Sequence, residues 1–197
     1  MNKDYLIKEY SIQNLIAPQK DVLGRISSIE NITKETICPV IFEIQKDKII
    51  RITKKIKDRN HLYYGKLKKH QLYQLAAQMD VAFQKDVTHG DLNRKNIIID
   101  TQENLCVSDW EPDLKQYING KKSYMVTSPW VDKEDIKKDN ISINTDLMCF
   151  FRCISNKKKT FFYLNEWTEI ALQAKISGNP FSFVLNKNLL EKETINE

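Results

Sequence analysis

Glycine and proline are scarce, with five of each in 197 residues. That leaves no Gly/Pro/Ser-rich linker and excludes collagen-like or low-complexity organisation, so each glycine or proline marks a specific backbone event. No apolar run approaches the ~18 residues of a transmembrane helix, so no membrane span is expected. The stretch Met1–Tyr10 is charged from its start, without the apolar core of a secretory signal, and no signal peptide is expected. Internal repeats are absent. Histidine occurs three times, and the four cysteines, Cys38, Cys106, Cys149 and Cys153, form no CxxC pair. A zinc site therefore lacks its usual ligand spacing. Cys149 and Cys153 stand four apart on one helix face. Buried free thiols are the expectation, and with them a reducing, cytoplasmic compartment.

What is present fits a folded chain. At 41% hydrophobic and 29% charged residues it can bury a core, and its length suits one domain or two small lobes sharing a cleft. The net charge of +5 is mild. The lysines are scattered or in short runs without interleaved aromatics, so no nucleic-acid partner is expected.

The hydrophobic pattern predicts short strands at 4–11, 37–44 and 47–55, and a helix at 12–29 with a weak centre near Pro18 and Gly24. Residues 65–86 put Leu72, Leu75, Ala76, Met79 and Phe83 at helical spacing, the stripe of an amphipathic helix. NIIID and LCVSD, separated by the polar turn Thr101–Asn104, predict a β-hairpin. Further helices are predicted at 144–154, with Asn144 or Thr145 as a cap, and at 161–178, ending near Gly178.

Between the long helix and the hairpin lies THGDLNRKN, residues 88–96. Asp91 in such a loop can orient a hydroxyl and accept its proton late in transfer. Asn96 and Asp109 offer an amide oxygen and a carboxylate, the hard oxygen ligands that Mg²⁺ prefers, and the hairpin carries Asp109 back beside Asn96. Phosphoryl transfer is mostly positioning and charge neutralisation, so one base and two metal ligands supply most of what it needs. With three His, 14 Asp and 16 Asn in the chain, chance matches all three offsets from a histidine about once in a thousand such compositions.

HGDLNRKN resembles the catalytic loop of the protein-kinase-like superfamily, and SDWE resembles its metal-binding segment. TSPW, Thr127–Trp130, followed by Glu134, looks like the end of a protein-kinase activation segment. NTDLMCFF is similar to the buried helix whose aspartate, here Asp146, braces the catalytic-loop backbone; an acid favourable near a helix start is the alternative. VIFEI resembles the strand leading to the hinge that holds adenine, with Glu43 near that hinge. YLIKEY resembles the strand whose lysine, here Lys8, grips the α- and β-phosphates; Arg51 is a rival. Asn93 stands where protein Ser/Thr kinases place a lysine that steadies the γ-phosphate, a task open to Lys95 or Arg94. His89 is expected to fix the loop by packing. Glu111 is expected to be a loop carboxylate facing water, with a second metal as the alternative.

The resemblance implies an α+β, protein-kinase-like fold in a single domain, 1–197. A much reduced small lobe and hinge would occupy about 1–45 and a mainly helical large lobe 46–197. The implied activity is that of a minimal, atypical bacterial-type Ser/Thr protein kinase. Asp91 would orient the acceptor and Asn96 and Asp109 would hold Mg²⁺-ATP, with Lys8, Glu43 and Lys95 on the nucleotide and His89, Thr127 and Asp146 supporting loop and substrate platform. Gly90 in HGD, and DWE in place of DFG, are also similar to small-molecule kinases of the aminoglycoside and choline type. A pseudokinase-like binding module is the third possibility. No glycine-rich loop precedes YLIKEY, so the expected partners are ATP and a protein: either a substrate or an activator that covers the small lobe.

Overall fold

The computed structural model describes residues 4–56, 60–61, 67–126, 136–137, 140–155 and 164–193. Helices and small antiparallel sheets are both present, so the class is mixed α and β. The first sheet contains β1 (Tyr5–Ser11), β2 (Val40–Ile44) and β3 (Lys48–Lys54) in the order β1-β3-β2. Its register brings Lys8, Arg51 and Phe42 into one cross-strand row, with Tyr10, Ile49 and Ile44 in the next row on the same face. The neighbouring row Ile7, Ile52 and Ile41 points the other way.

Helix α1 (Gln19–Thr33) buries Val22, Ile26, Ile29 and Ile32, an i, i+3/i+4 stripe, and begins behind Pro18. Gly24 sits inside it without ending it. The helix also covers the outer edge of β2: Glu30 Oε1 accepts from the Phe42 N–H at 2.8 Å, and Thr33 Oγ1 accepts from the Val40 N–H at 3.1 Å. Edge amides that would otherwise lack partners are thereby satisfied.

The rest of the chain packs around α2 (Lys69–Gln84), which buries Leu75, Ala76 and Met79 as its spacing predicts. The short strands β4 (Asn60–His61), β5 (Ile97–Ile99) and β6 (Leu105–Val107) form a second sheet, and the predicted hairpin is the β5–β6 pair. A further hairpin joins β7 (Lys115–Ile118) to β8 (Lys121–Tyr124). Its turn, Asn119-Gly120, has φ of 51° and 72°, the positive pair of a type I′ turn for which Asn-Gly is the strongest short sequence signal. Helices α3 (Ile143–Ser155), α4 (Leu164–Ile176) and α5 (Pro180–Glu193) follow. Asp80 of α2 caps α5 from outside, accepting from the N–H groups of Phe181 at 2.8 Å and Ser182 at 3.1 Å. One continuous apolar core joins Tyr10 and Ile29 of the first sheet and its helix to Leu75, Leu147, Phe150 and Phe181. Among the described residues no helix is long and apolar enough to cross a membrane.

Two expectations change. A lobe boundary at residue 45 falls inside the β2–β3 hairpin, whose turn is closed by Gln45 N–H to Lys48 O at 2.8 Å; β3 extends the first sheet to Lys54. Nor are all four thiols free: Cys38, ahead of β2, and Cys106, in β6, form a disulfide with Cα atoms 6.5 Å apart, within the bridging range. Cys149 and Cys153 are buried and lie outside any disulfide. The partners are separated by 68 residues, and no local spacing announces such a pair. With one pair bonded, the cysteines no longer imply a reducing compartment.

Candidate active site

The loop 88–96 is folded around Asp91. Its backbone N–H donates to His89 Nδ1 at 3.2 Å, and its carbonyl accepts from Asn93 Nδ2 at 3.0 Å and Asn96 Nδ2 at 2.9 Å. Both backbone groups of Asp91 are thus committed, and its carboxylate Oδ2 also accepts from Asn96 Nδ2 at 3.2 Å. With the nitrogen of Asn96 held toward Asp91, the amide oxygen is the end turned away, as a cation ligand requires. Asn93 is loop scaffold, its Oδ1 taking the Lys95 N–H at 2.9 Å. Lys95 is exposed, and Arg94 turns toward the Cys153 carbonyl of α3 at 3.5 Å.

His89 is buried, and both ring nitrogens are used. Nδ1 accepts from Asp91, so the proton resides on Nε2, which donates to the Ser108 carbonyl at 2.9 Å. Burial lowers its pKa, which keeps the ring neutral. His89 is a strut between the loop and the end of β6. Asp146, at the start of α3, accepts from the N–H groups of His89 at 2.6 Å and Gly90 at 2.8 Å. Burial pushes its carboxyl up to about 7, against the pull of those two amides and Arg25. Gly90 has φ +80°, and a Cβ there would lie 2.8 Å from Leu114 Cδ2; the loop geometry itself calls for glycine.

Asp109 stands two residues past the end of β6. Its neighbour Ser108 donates its N–H to the Asn96 carbonyl at 2.7 Å, so the metal-ligand candidates Asn96 and Asp109 stand at the same end of the hairpin. Asp109 itself has φ 65°. Its Oδ1 is 2.6 Å from Arg51 Nη2, while the side chain remains 44% exposed. Burial would raise this carboxyl, but Arg51, with help from Lys8, holds it below the usual carboxylate range. Trp110 is fully buried, donates Nε1–H to the Val107 carbonyl at 2.9 Å, and meets His89 edge-on with ring centroids 4.6 Å apart.

Glu111 departs from expectation: it is buried, not facing water, and its Oε1 meets Lys8 Nζ at 2.6 Å and Arg51 Nη1 at 3.3 Å. Asp113, also buried, accepts from the N–H groups of Ile16 at 2.8 Å and Ala17 at 2.9 Å, tying the segment after Asp109 to the approach to α1. Arg25 of α1 donates to the carbonyls of Glu111 at 2.8 Å and Thr88 at 2.7 Å. These roles of Arg25, Arg51, Glu111 and Asp113 go beyond the sequence reading. One signal was present: Arg25 sits at i+3 from Val22 and i−4 from Ile29, on the apolar face of α1.

Glu43 does not join the group. It lies exposed in β2 opposite Ile50, and the chain turns back into β3 before leaving the sheet. Thr127, with Ser128–Trp130 and Glu134, lies outside the described residues. Among those residues no group of three His, Cys, Asp or Glu is arranged to hold a metal; Mg²⁺ bound with a nucleotide needs one or two carboxylates, the rest coming from water and phosphate. No protein-family model and no curated protein sequence matches the chain.

Proposed function

We propose that the protein transfers a phosphoryl group from Mg²⁺-ATP to a hydroxyl acceptor, on a protein-kinase-like framework. The observation that carries this reading is the bonding of Asn96 Nδ2 to both the backbone and the carboxylate of Asp91, on a loop whose neighbouring amides are clamped by Asp146. An aspartate that only closed a turn would not need a second loop side chain and a buried carboxylate from another helix. Asp91 orients the acceptor hydroxyl and takes its proton. Asn96 and the exposed side of Asp109 would hold the cation, which when bound neutralises charge on the phosphates. Lys8 lies beside them on the first sheet, one cross-strand step from Arg51.

The acceptor is read from two features. Thr127–Trp130 and Glu134 favour a protein hydroxyl by their sequence. Gly90, required by its positive φ, favours the small-molecule type of acceptor. Radiolabelled transfer to protein, set against transfer to sugars or amino alcohols, separates the two.

The activity itself is tested by substitution. Asp91→Asn keeps nucleotide binding and lowers transfer by about 10²- to 10⁴-fold, the usual contribution of a general base. Asp109→Asn weakens Mg²⁺-nucleotide binding as well, because a metal ligand is lost. Ligand that binds the folded chain must raise its thermal midpoint. No shift of the wild type at millimolar ATP and Mg²⁺, or equal transfer by wild type and Asp91→Asn, would overturn the reading.

A further inference from the structure

We propose that Glu111 is the positioning residue for Lys8. By sharing one carboxylate oxygen between Lys8 and Arg51, it would hold the Lys8 ammonium for the nucleotide phosphates and hang that grip on the segment following Asp109, not on α1. The inference rests on the phosphotransferase reading above.

Three observations lead to it. First, α1 has no acid to spare. In protein kinases a helix glutamate pairs with the phosphate-binding lysine. Here Asp21 of α1 is exposed, and Glu30 is engaged with the Phe42 amide at 2.8 Å. What α1 sends inward is a cation, Arg25, which fixes the backbone of Glu111 through its carbonyl. The helix therefore positions the acid without supplying it.

Second, the donors divide the labour between Lys8 and Arg51. Arg51 uses Nη1 on the Trp110 carbonyl at 2.8 Å and on Glu111, and Nη2 on Asp109. Its side chain is 10% exposed. It is a strut that spans residues 109 to 111. An ammonium carries three donors, and Glu111 takes one from Lys8, whose side chain is 37% exposed. Lys8 is the cation with donors to offer a phosphate.

Third, the group is balanced. A carboxylate whose side chain is 5% exposed, as in Glu111, costs far more to bury alone than in contact with cations. Lys8, Arg51, Glu111 and Asp109 together carry two charges of each sign. The backbone around Glu111 is fixed by Arg25 and, two residues on, by Asp113, so the carboxylate is held in place. Lys8 and Asp109, which would meet phosphate and cation respectively, are thus joined through Glu111 and Arg51.

The test compares ADP with adenosine, each with excess Mg²⁺, by calorimetric titration of the full chain. Glu111→Gln is expected to weaken ADP binding about tenfold, the worth of one charge-assisted bond, and to leave adenosine unchanged. A general loosening of the fold would weaken both. Lys8→Met should reproduce the phosphate-selective loss, and Glu111→Gln should cost less when added to Lys8→Met than it costs alone, because part of its effect is exerted through Lys8. Unchanged ADP affinity in Glu111→Gln or in Lys8→Met, or equal losses for the two ligands, would overturn the inference and leave the nucleotide reading standing. A wild type that binds neither ligand would overturn both. Should Glu111→Gln fail to fold, Glu111→Asp withdraws the carboxylate by one methylene and is held to the same ratio of ADP to adenosine.

Discussion

At the scale of single residues, Asp146 and His89 are joined by a hydrogen bond and respond to pH with opposite signs. The Asp146 carboxyl is raised from 3.8 to about 7, mainly by burial. Between those values the folded chain keeps a proton that the unfolded chain has released. This contribution to stability is full below the lower value and is lost as pH rises through the upper one. The His89 pKa is lowered from 6.5, again chiefly by burial. Below 6.5 the unfolded chain takes up a proton that the folded chain refuses, so this contribution is present above that pH and lost on acidification. Asp146→Asn removes the first response and leaves the second. Urea titrations at about pH 7.5 and 5.5 should therefore show a larger acid loss of stability in Asp146→Asn than in the wild type. An equal or smaller loss would contradict the assignment.

At the scale of elements, the site depends on how α2 treats the edge of the second sheet. In the order β4-β5-β6, strand β6 is an edge, and its outward amides need acceptors. Two glutamines of α2 supply them: Gln74 Oε1 takes the Leu105 N–H at 3.1 Å, and Gln78 Oε1 takes the Val107 N–H at 2.8 Å. Val107 lies two residues before Asp109, so the helix sets the height at which that carboxylate emerges. Gln78→Leu leaves the buried Val107 amide without its acceptor. The expected cost is about 1–3 kcal/mol in urea unfolding and, on the proposed function, weaker Mg²⁺-nucleotide binding as β6 shifts. The apolar stripe of α2 was legible from spacing alone. The glutamines on its buried side carry no such signal, because a polar residue facing a core has meaning only once its partner is known.

Over the whole molecule, the Cys38–Cys106 disulfide joins the approach to β2 with β6 and so ties the first sheet to the hairpin that carries Asp109. Closing a loop across 68 residues restricts the unfolded chain, worth about 4 kcal/mol by the chain-entropy relation. Reduction, or replacement of both cysteines by alanine, should lower unfolding stability by that order. Thiol titration in denaturant should count two reactive groups before reduction, Cys149 and Cys153, and four after it. Four thiols without reductant would show that the bond is not formed. The surroundings of the pair, Ile37, Ile56 and Ile98, are apolar, so the bond lies out of reach of solvent reductants until the chain opens.

The sequence by itself determined what depends on neighbours along the chain. The stripe of α2, the β5–β6 hairpin and the loop that turns Asn96 toward Asp91 all follow from side-chain period or from bonds within five residues. The β7–β8 hairpin is equally local, its signal being Asn119-Gly120, although the hydrophobic pattern predicts no strand there. The tertiary structure decided which distant charges meet. Arg51 and Asp109 are 58 residues apart, and Lys8 and Glu111 are 103 apart. Nothing local distinguishes a carboxylate that will face water from one that will be buried against two cations. The choice is made when the inward face of the first sheet docks on the segment after β6, because burying Glu111 is tolerable only where Lys8 and Arg51 are already held. The same docking left Glu43 exposed on β2, a strand that leads back into the sheet, where the sequence alone had pointed to a hinge.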